Sequence, residues 1–413
     1  MKCFNDSLIP NEIELIKAKE IVEKKVKELR LVTPNLVFPH DKLAELEINK
    51  FFYNSEIVDR VMVVLRANGC EHYKKNGGCS MCSHFNGVDR NYNVSTEDYK
   101  KQWDSVIDGS AIELKNKNFD INNYPVVCVY NLGSLLNEKE ISSEAVRYIF
   151  ESLNKKSGVK KVIIESRAEY ITEETIKNIK SVYNKGIVEV GIGVESTNNV
   201  IRNVCHHKGL DDLSQVKDSI DILHKYNFKA LAYINLKPVF LTEQEAIIDA
   251  INTAKDCIEL GFDAISIEPT SLQEYSLANY LYNMGEYRVP WLWSVREVVQ
   301  GICEQTKKNY YDIRIGGYFD GEVLSGSQGV GYAEKNELFP HMTSLNCPKC
   351  SKKFIDCIKK FNMTYDIKEL YKISNCDSCY KLWLDVKNVS DSRNIYQRVL
   401  DTLGIEEDKN DKN

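Results

Sequence analysis

Three cysteines fall within the short stretch "CEHYKKNGGCSMC", spaced C-x8-C-x2-C from Cys70 to Cys79 to Cys82. A closed structural zinc site takes four ligands, so three thiols leave one coordination position over. A second group, Cys347, Cys350, Cys376 and Cys379, reads C-x2-C-x25-C-x2-C in the segments "NCPKC" and "NCDSC". Two such knuckles are a metal signature, and four thiolates close a tetrahedral site that suits zinc or, by the same softness, an auxiliary iron–sulfur cluster. Cys357 lies between the pairs without a role of its own, and Cys128, Cys257 and Cys303 sit in apolar surroundings as small core residues.

The 413 residues are enough for roughly two to three domains, and 43% of them are hydrophobic, enough for a sizeable core. No stretch approaches the roughly 18 apolar residues of a membrane span, and the start "MKCFNDSLIPNEIELIKAKE" lacks the apolar run of a signal peptide. A cytoplasmic protein with no membrane partner is expected. In that reducing compartment, clustered thiols among the 13 cysteines point to metal and scattered ones to packing. The net charge of -6 and pI near 5.8 give no global electrostatic case for nucleic-acid binding. The local exception is Lys352, Lys353, Lys359, Lys360, Lys368 and Lys372, a run that also reads as a solvated helix face. The end, "GIEEDKNDKN", is expected to be a disordered tail.

The elements that must position the thiols follow from periodicity. Residues 11–30 predict a leading amphipathic helix. Then "VMVVLRA", "PVVCVYNLGS", "KVIIESR", "IVEVGIGVES", "FKALAYINLKP" and "DAISIEPT" read as strands. Between them stand helical segments, several opening on Ser, Thr or Asp, one closing at Gly261. Strand–helix alternation repeated six times predicts an α/β fold: a partial (β/α)6 TIM-like barrel, with an N-terminal helical extension and a C-terminal four-cysteine metal-binding lobe. The expected limits are 1–55 for the extension, 56–310 for the core, 311–390 for the lobe and 391–413 for a polar tail.

In parallel α/β architectures chemistry gathers at the carboxyl ends of strands. Here those ends carry the triple cysteine, then Asn131 and Gly133, Glu165 and Arg167, Glu195 and Ser196, Lys237, and Glu268. The bland alternative for one pair is a plain ion pair between Arg167 and Glu268. His72 and His84 flank the cysteine loop and read as surface residues, while "CHHK", with Cys205, His206 and His207, reads as a loop contacting substrate or solvent.

Three thiolates at such a rim suit a [4Fe–4S] cluster whose fourth iron is left open. At this point the residues resemble the radical SAM enzymes, in which S-adenosylmethionine chelates that iron and is cleaved reductively to a 5′-deoxyadenosyl radical. Their commonest cysteine spacing is C-x3-C-x2-C; here the first interval is stretched to eight and the x2 half is kept. The stretched loop resembles the branch that shares its core with the elongator acetyltransferase catalytic subunit, and within it the radical SAM partners of archaeosine synthase. The segments are "RANGCEHYKKNGGCSMCSH", "YNLGSLLNEKEI", "IIESRAEYITEE", "GIGVEST", "LKPVFLTEQEAIIDAI" and "YRVPWLWSVREVV".

The resemblance implies Cys70, Cys79 and Cys82 as cluster ligands. The "NLGS" turn stands where the superfamily has Gly-Gly-Glu for the methionine amine, so the carbonyls of Leu132 and Gly133 or the amide of Asn131 would serve. Glu195 and Ser196 would bond the ribose or methionine end, and Arg167 the carboxylate. Tyr233, Asn235, Lys237 and Glu268 would face the substrate, with Lys237 and Glu268 as the catalytic candidates. The implied partners are S-adenosylmethionine, a reductant such as flavodoxin or ferredoxin, tRNA and a lysine-transferring enzyme. The implied reaction, of lyase or transferase type, cleaves a lysine adduct on a 7-deazaguanine to leave an amidine. Two alternatives stand beside it: radical chemistry on a small molecule or natural product, and a non-enzymatic, zinc-stapled RNA- or protein-binding module. The last leaves the first three cysteines unexplained.

Overall fold

The computed structural model describes residues 8–112, 118–306, 312–318, 321–326 and 344–406. The chain opens with α1 (Glu12–Leu31), whose Asn11 and Glu14 form a capping box, and continues into the hairpin β1 (Glu45–Tyr53) and β2 (Glu56–Val64). Two helices, α2 (Glu71–Asn76) and α3 (Thr96–Ile107), lead to β3 (Val126–Tyr130). Alternation then runs through α4 (Ser143–Asn154), β4 (Lys161–Ser166), α5 (Glu173–Lys180), β5 (Ile187–Gly193), α6 (Ser214–Lys225) and β6 (Lys229–Leu236). It continues through α7 (Glu243–Leu260), β7 (Ala264–Pro269), α8 (Leu277–Asn283), α9 (Leu292–Thr306) and β8 (Asp312–Ile315). The chain then forms β9 (Gly321–Gly326), α10 (Ser351–Thr364), α11 (Lys368–Tyr371), α12 (Tyr380–Lys387) and α13 (Ile395–Leu403).

These nine strands form one curled sheet in the order β8-β7-β6-β5-β4-β3-β2-β1-β9. Neighbours from β2 to β8 are parallel, and β1 pairs antiparallel with both β2 and β9. The partial barrel expected from alternation is present, and its six predicted strands are β2 to β7. Caps behave as read: Ser142, Thr172 and Thr242 accept from the first turns of α4, α5 and α7, and Gly261 closes α7 with φ 106°.

Three expectations need correction. Residues 45–53 are not part of a helical extension but strand β1, because Leu46, Ile48 and Phe51 bury on the sheet. Residues 312–315 and 321–326 belong to the sheet and not to the four-cysteine lobe. Within the stretch 391–413, residues 395–403 form α13, whose Ile395, Val399 and Leu400 pack into the main core and whose Arg398 grips Glu245 at 2.7 and 2.8 Å. Most of the expected disordered end, 407–413, lies outside the described residues. Among the described residues no helix is long and apolar enough to cross a membrane.

Alternate residues of the strands face two cores. Val127, Val129, Val162, Ile164, Val190 and Ile192 join the large layer under the helices, while Phe51, Val126, Cys128 and Ile163 form a small separate cluster on the other face. Beside that inner cluster lies a buried ionic network. Glu189 accepts from Arg314 at 2.6 and 3.1 Å and from Lys161 at 2.7 Å, and the Arg314 guanidinium lies 5.1 Å from the Phe51 ring centroid. Burial would raise the Glu189 carboxyl, but Arg314 and then Lys161 outweigh it and hold the group at about 2. Breaking such a pair on one side leaves a buried charge uncompensated. Arg314→Met, which leaves Glu189 with Lys161, should lower unfolding free energy by about 1.5–3 kcal/mol in denaturant titrations; a loss near zero would mean that Lys161 alone compensates the carboxylate.

Candidate functional site

The cysteine loop follows β2 and is seated by aromatic packing. Tyr73 and Phe85 stack with centroids 3.6 Å apart, and both pack with Val64 and Leu132 at the carboxyl ends of β2 and β3. The loop's own peptide groups are then met from four directions. Arg30 of α1 donates to the carbonyls of Gly77, Cys79 and Cys82. Glu140 accepts from the backbone of Glu71 at 2.9 Å and of Ser134 at 2.5 Å, tying the loop to the "NLGS" turn. After β5, the His207 ring contacts the Gly78 carbonyl at 2.8 Å, and Ser80 donates through its amide and hydroxyl to the carbonyls of His206 and Cys205. After β7, Gln273 accepts from the Ser83 amide at 2.5 Å.

His72 is thus no surface residue: it is buried, with its Nε2 2.7 Å from the His207 carbonyl. "CHHK" is a clamp on the cysteine loop, built on a π-helical turn at Ile201–Cys205. Arg30, Glu140 and Lys208 were not among the expected site residues. Glu140 stands in the same "YNLGSLLNEKEI" segment that carries Asn131; for Arg30, on a helix distant in sequence, no local signal exists.

The expected cofactor residues divide by what they already hold. Asn131 is fully buried, and both polar atoms of its amide lack a partner. Gly133 lies against Cys70, where a Cβ would strike Glu140 and come within 3.4 Å of the Cys70 Cα. Arg167 donates to Glu169 at 2.5 Å and to the carbonyls of Lys208 and Gly209, so the ion pair with Glu268 does not form. Glu195 accepts from Lys208 at 2.8 Å, and the Ser196 hydroxyl is committed to Asp249 at 2.7 Å. Lys237 pairs with Glu243 at 2.7 Å and donates to the Arg288 carbonyl. Leu132, Glu195 and Lys237 all take left-handed backbone, φ 60°, 63° and 65°, directly after β3, β5 and β6, which marks the rim as strained.

The electrostatics of the rim are uneven. Burial lowers the Lys208 pKa, but Glu195 and then Cys79 outweigh it and raise the value. Burial, then Glu140 and Cys79, push the Cys70 thiol up to about 12; burial, then Cys79, push Cys82 up to about 11. Further along the sheet, burial and then Glu268 push Glu165 up to about 8, and burial lifts Glu268 to about 7 although Ser266 donates to it at 2.6 Å. The Tyr233 ring covers Gly191, where a Cβ would meet it within 2.5–2.7 Å; Asn235 bonds the Glu268 carbonyl and Thr270.

The four C-terminal cysteines converge. Their sulfurs lie within 4.8 Å of one another, with Cys347 to Cys350 at 3.8 Å, Cys347 to Cys376 at 3.6 Å and Cys350 to Cys379 at 3.6 Å. Four sulfurs at about 2.3 Å from one tetrahedral ion stand about 3.8 Å apart, so this set fits a single metal ion. Cys70, Cys79 and Cys82 are not drawn into so compact a set. Three thiols with one coordination position left over would suit a cluster with an open iron, and the unsatisfied buried Asn131 amide, in the turn whose Gly133 lies against Cys70, fits a polar ligand. Cys357 is buried in the face that α10 turns to the core, and Lys352, Lys353 and Lys360 project outward from that helix.

No family model matches the chain. An uncharacterized protein of Methanocaldococcus jannaschii is 30% identical over 365 residues, covering 88% of this chain and 93% of that one. Archaeosine synthase subunit beta of Methanosarcina acetivorans is 28% identical over 329 residues, 80% of this chain and 85% of that one. The subunit of the same name from Thermococcus kodakarensis is 29% identical over 325 residues, 78% and 90%. The chain belongs to the same family as the Methanocaldococcus jannaschii protein. Among solved structures, HydG, a maturase of the [FeFe]-hydrogenase, aligns over 98% of this chain and 99% of its own at TM-score 0.41 and 12% identity. Elp3 of Methanocaldococcus infernus covers 46% of this chain and 47% of its own at TM-score 0.36 and 15% identity.

The raised carboxyls have a consequence for stability. A carboxyl whose folded pKa exceeds its unfolded value stabilises the fold below the unfolded pKa, and that contribution is lost as pH rises through the folded one. For Glu165 the window runs from its ordinary 4.5 up to about 8. Glu165→Gln should raise the melting temperature relative to wild type by a margin that grows between about pH 5 and about pH 8. A margin flat with pH would mean that Glu165 titrates as in water.

Proposed function

We propose that this protein is a radical SAM enzyme that modifies a 7-deazaguanine base in tRNA, in the manner the name archaeosine synthase subunit beta denotes for its relatives. Cys70, Cys79 and Cys82 would hold a [4Fe–4S] cluster, and Asn131 with the Gly133 turn would receive the methionine end of S-adenosylmethionine. When bound, this pair supplies one-electron cleavage of the sulfonium to a radical that abstracts hydrogen from substrate. The observation that carries the reading is the meeting, at the carboxyl ends of the strands, of a cysteine loop clamped from several sides with an unsatisfied buried amide at Asn131.

The chain's own part is placement. A primary radical takes hydrogen from whatever lies nearest, so water and stray donors must be excluded and one C–H bond presented. Arg167, with its fork already seated on the carbonyls of Lys208 and Gly209, would orient the carboxylate end, and Lys208 would hold Glu195 in place. Glu165 and Glu268 would meet the substrate as acids whose protonation changes near neutral pH. Lys237 would act through position, since its ammonium is taken by Glu243. The substrate reading is a tRNA base bearing a lysine adduct, with a separate lysine-transferring subunit as partner and flavodoxin or ferredoxin as reductant. We assign zinc to Cys347, Cys350, Cys376 and Cys379, because a mononuclear tetrahedral ion matches their spacing.

Anaerobic purification should yield about four irons and about one zinc per chain. Reduction with dithionite should then release 5′-deoxyadenosine. The Cys70→Ala/Cys79→Ala/Cys82→Ala variant should lose iron and deoxyadenosine while keeping zinc. Release stimulated by tRNA bearing the lysine adduct, and by no unmodified tRNA, supports the substrate. Zinc without iron after reconstitution would remove the radical enzyme from consideration.

A further inference from the structure

α1 passes behind the cysteine loop, and one of its residues enters the loop's interior. Arg30 is 6% exposed. Its Nε donates to the Gly77 carbonyl at 2.9 Å, Nη2 to the Cys82 carbonyl at 2.6 Å and the Cys79 carbonyl at 3.3 Å, and Nη1 to the Tyr275 carbonyl at 2.5 Å. Its guanidinium carbon lies 5.0 Å from the Tyr73 ring centroid. Three pieces of chain far apart in sequence, α1, the cysteine loop and the loop after β7, therefore end on a single side chain. A lysine has three donors on one nitrogen and cannot span four carbonyls in this fork.

The charge is as notable as the geometry. The hydrogen-bond acceptors around Arg30 are neutral carbonyls, and no carboxylate pairs with it among the described residues. A buried cation without a counter-anion is unfavourable. The acidic groups that approach it are the Tyr73 phenol and the thiols of Cys82 and Cys79. A metal cluster carried by three thiolates is an anion, and it would stand where this guanidinium lacks one.

We infer that Arg30 is a positioning residue for the cluster, clamping the backbone between Gly77 and Cys82 and setting a fixed positive charge beside two of the thiolates. The clamp follows from the contacts alone; the charge effect rests on the cluster reading above. A positive charge near a cluster favours its reduced, more negative state. Arg30 thus both orders the ligands and eases electron entry, and the N-terminal helix is part of the site.

The test compares wild type, Arg30→Gln and Arg30→Lys. Hydrogen exchange on the iron-free chains reads the clamp: amides of Ser80, Cys82 and Ser83 should exchange on the order of tenfold faster in both variants. Redox titration of the reconstituted chains, followed by electron paramagnetic resonance, reads the charge: Arg30→Gln should shift the midpoint to more negative potential, and Arg30→Lys should restore much of it without restoring protection. Unchanged exchange in both variants would overturn the clamp, and an unchanged midpoint in Arg30→Gln would overturn the charge effect. If wild type takes up no iron, the cluster reading fails, while the exchange measurement still decides the clamp.

Discussion

A buried loop must find a partner for every peptide group it takes out of water, and the cysteine loop, helical only over α2, is built around that requirement. Its carbonyls go to Arg30 and Ala278, its amides to Glu140, His206 and Gln273, and its ring contacts to Leu132 and Val64. None of these partners lies inside the loop. The consequence is that the position of Cys70, Cys79 and Cys82 is set by α1, the turn after β3, the clamp after β5 and the loop after β7 together. A shift in any of these would be felt at the thiols, and ordering the rim around a ligand is therefore mechanically linked to ordering the cysteines.

The same sheet carries two electrostatic regimes along its inner face. Toward the amino ends of the strands Glu189 is closed by Arg314 and Lys161 beside Phe51, a fully paired plug. Toward the carboxyl ends burial dominates both carboxyls: Glu165 is raised to about 8, and Glu268 to about 7 with the Ser266 hydroxyl donating to it. The paired charges are closed off as a floor, whereas a buried carboxyl held by no cation gains from a visiting partner. The strained backbone of Leu132, Glu195 and Lys237 lies on the second side.

The four-cysteine lobe is joined to the rim through buried polar contacts. The Trp293 indole donates to the Cys379 sulfur at 3.3 Å, and Trp383 donates to Ser294, which donates to Glu243, the carboxylate that holds Lys237. Tyr287 donates to the Lys237 carbonyl at 2.5 Å, fixing its left-handed turn from the same side. Metal at the four cysteines would therefore brace β6 and its loop. The outward lysines of α10 stay in solvent, in keeping with an ordinary helix face.

The sequence by itself determined the class of fold, since alternating apolar runs and capped amphipathic helices leave a parallel sheet as the way to bury both faces. It also carried the four-cysteine metal signature and the three-cysteine pattern, because cysteine spacing is a local property. It located the rim, as strand ends in such sheets share one edge. Tertiary structure alone decided the partners: that Ser196 serves Asp249, that Arg167 takes carbonyls in place of Glu268, that Lys237 is spent on Glu243, and that His72 and His207 face inward. It also recruited residues 45–53, 312–315 and 321–326 to the sheet and 395–403 to the core, short or polar segments whose periodicity is weak until a neighbour covers them. Arg30 shows the reason most directly: hydrogen bonding and burial depend on what the fold brings within reach, and its acceptors lie 47 to 245 residues away along the chain.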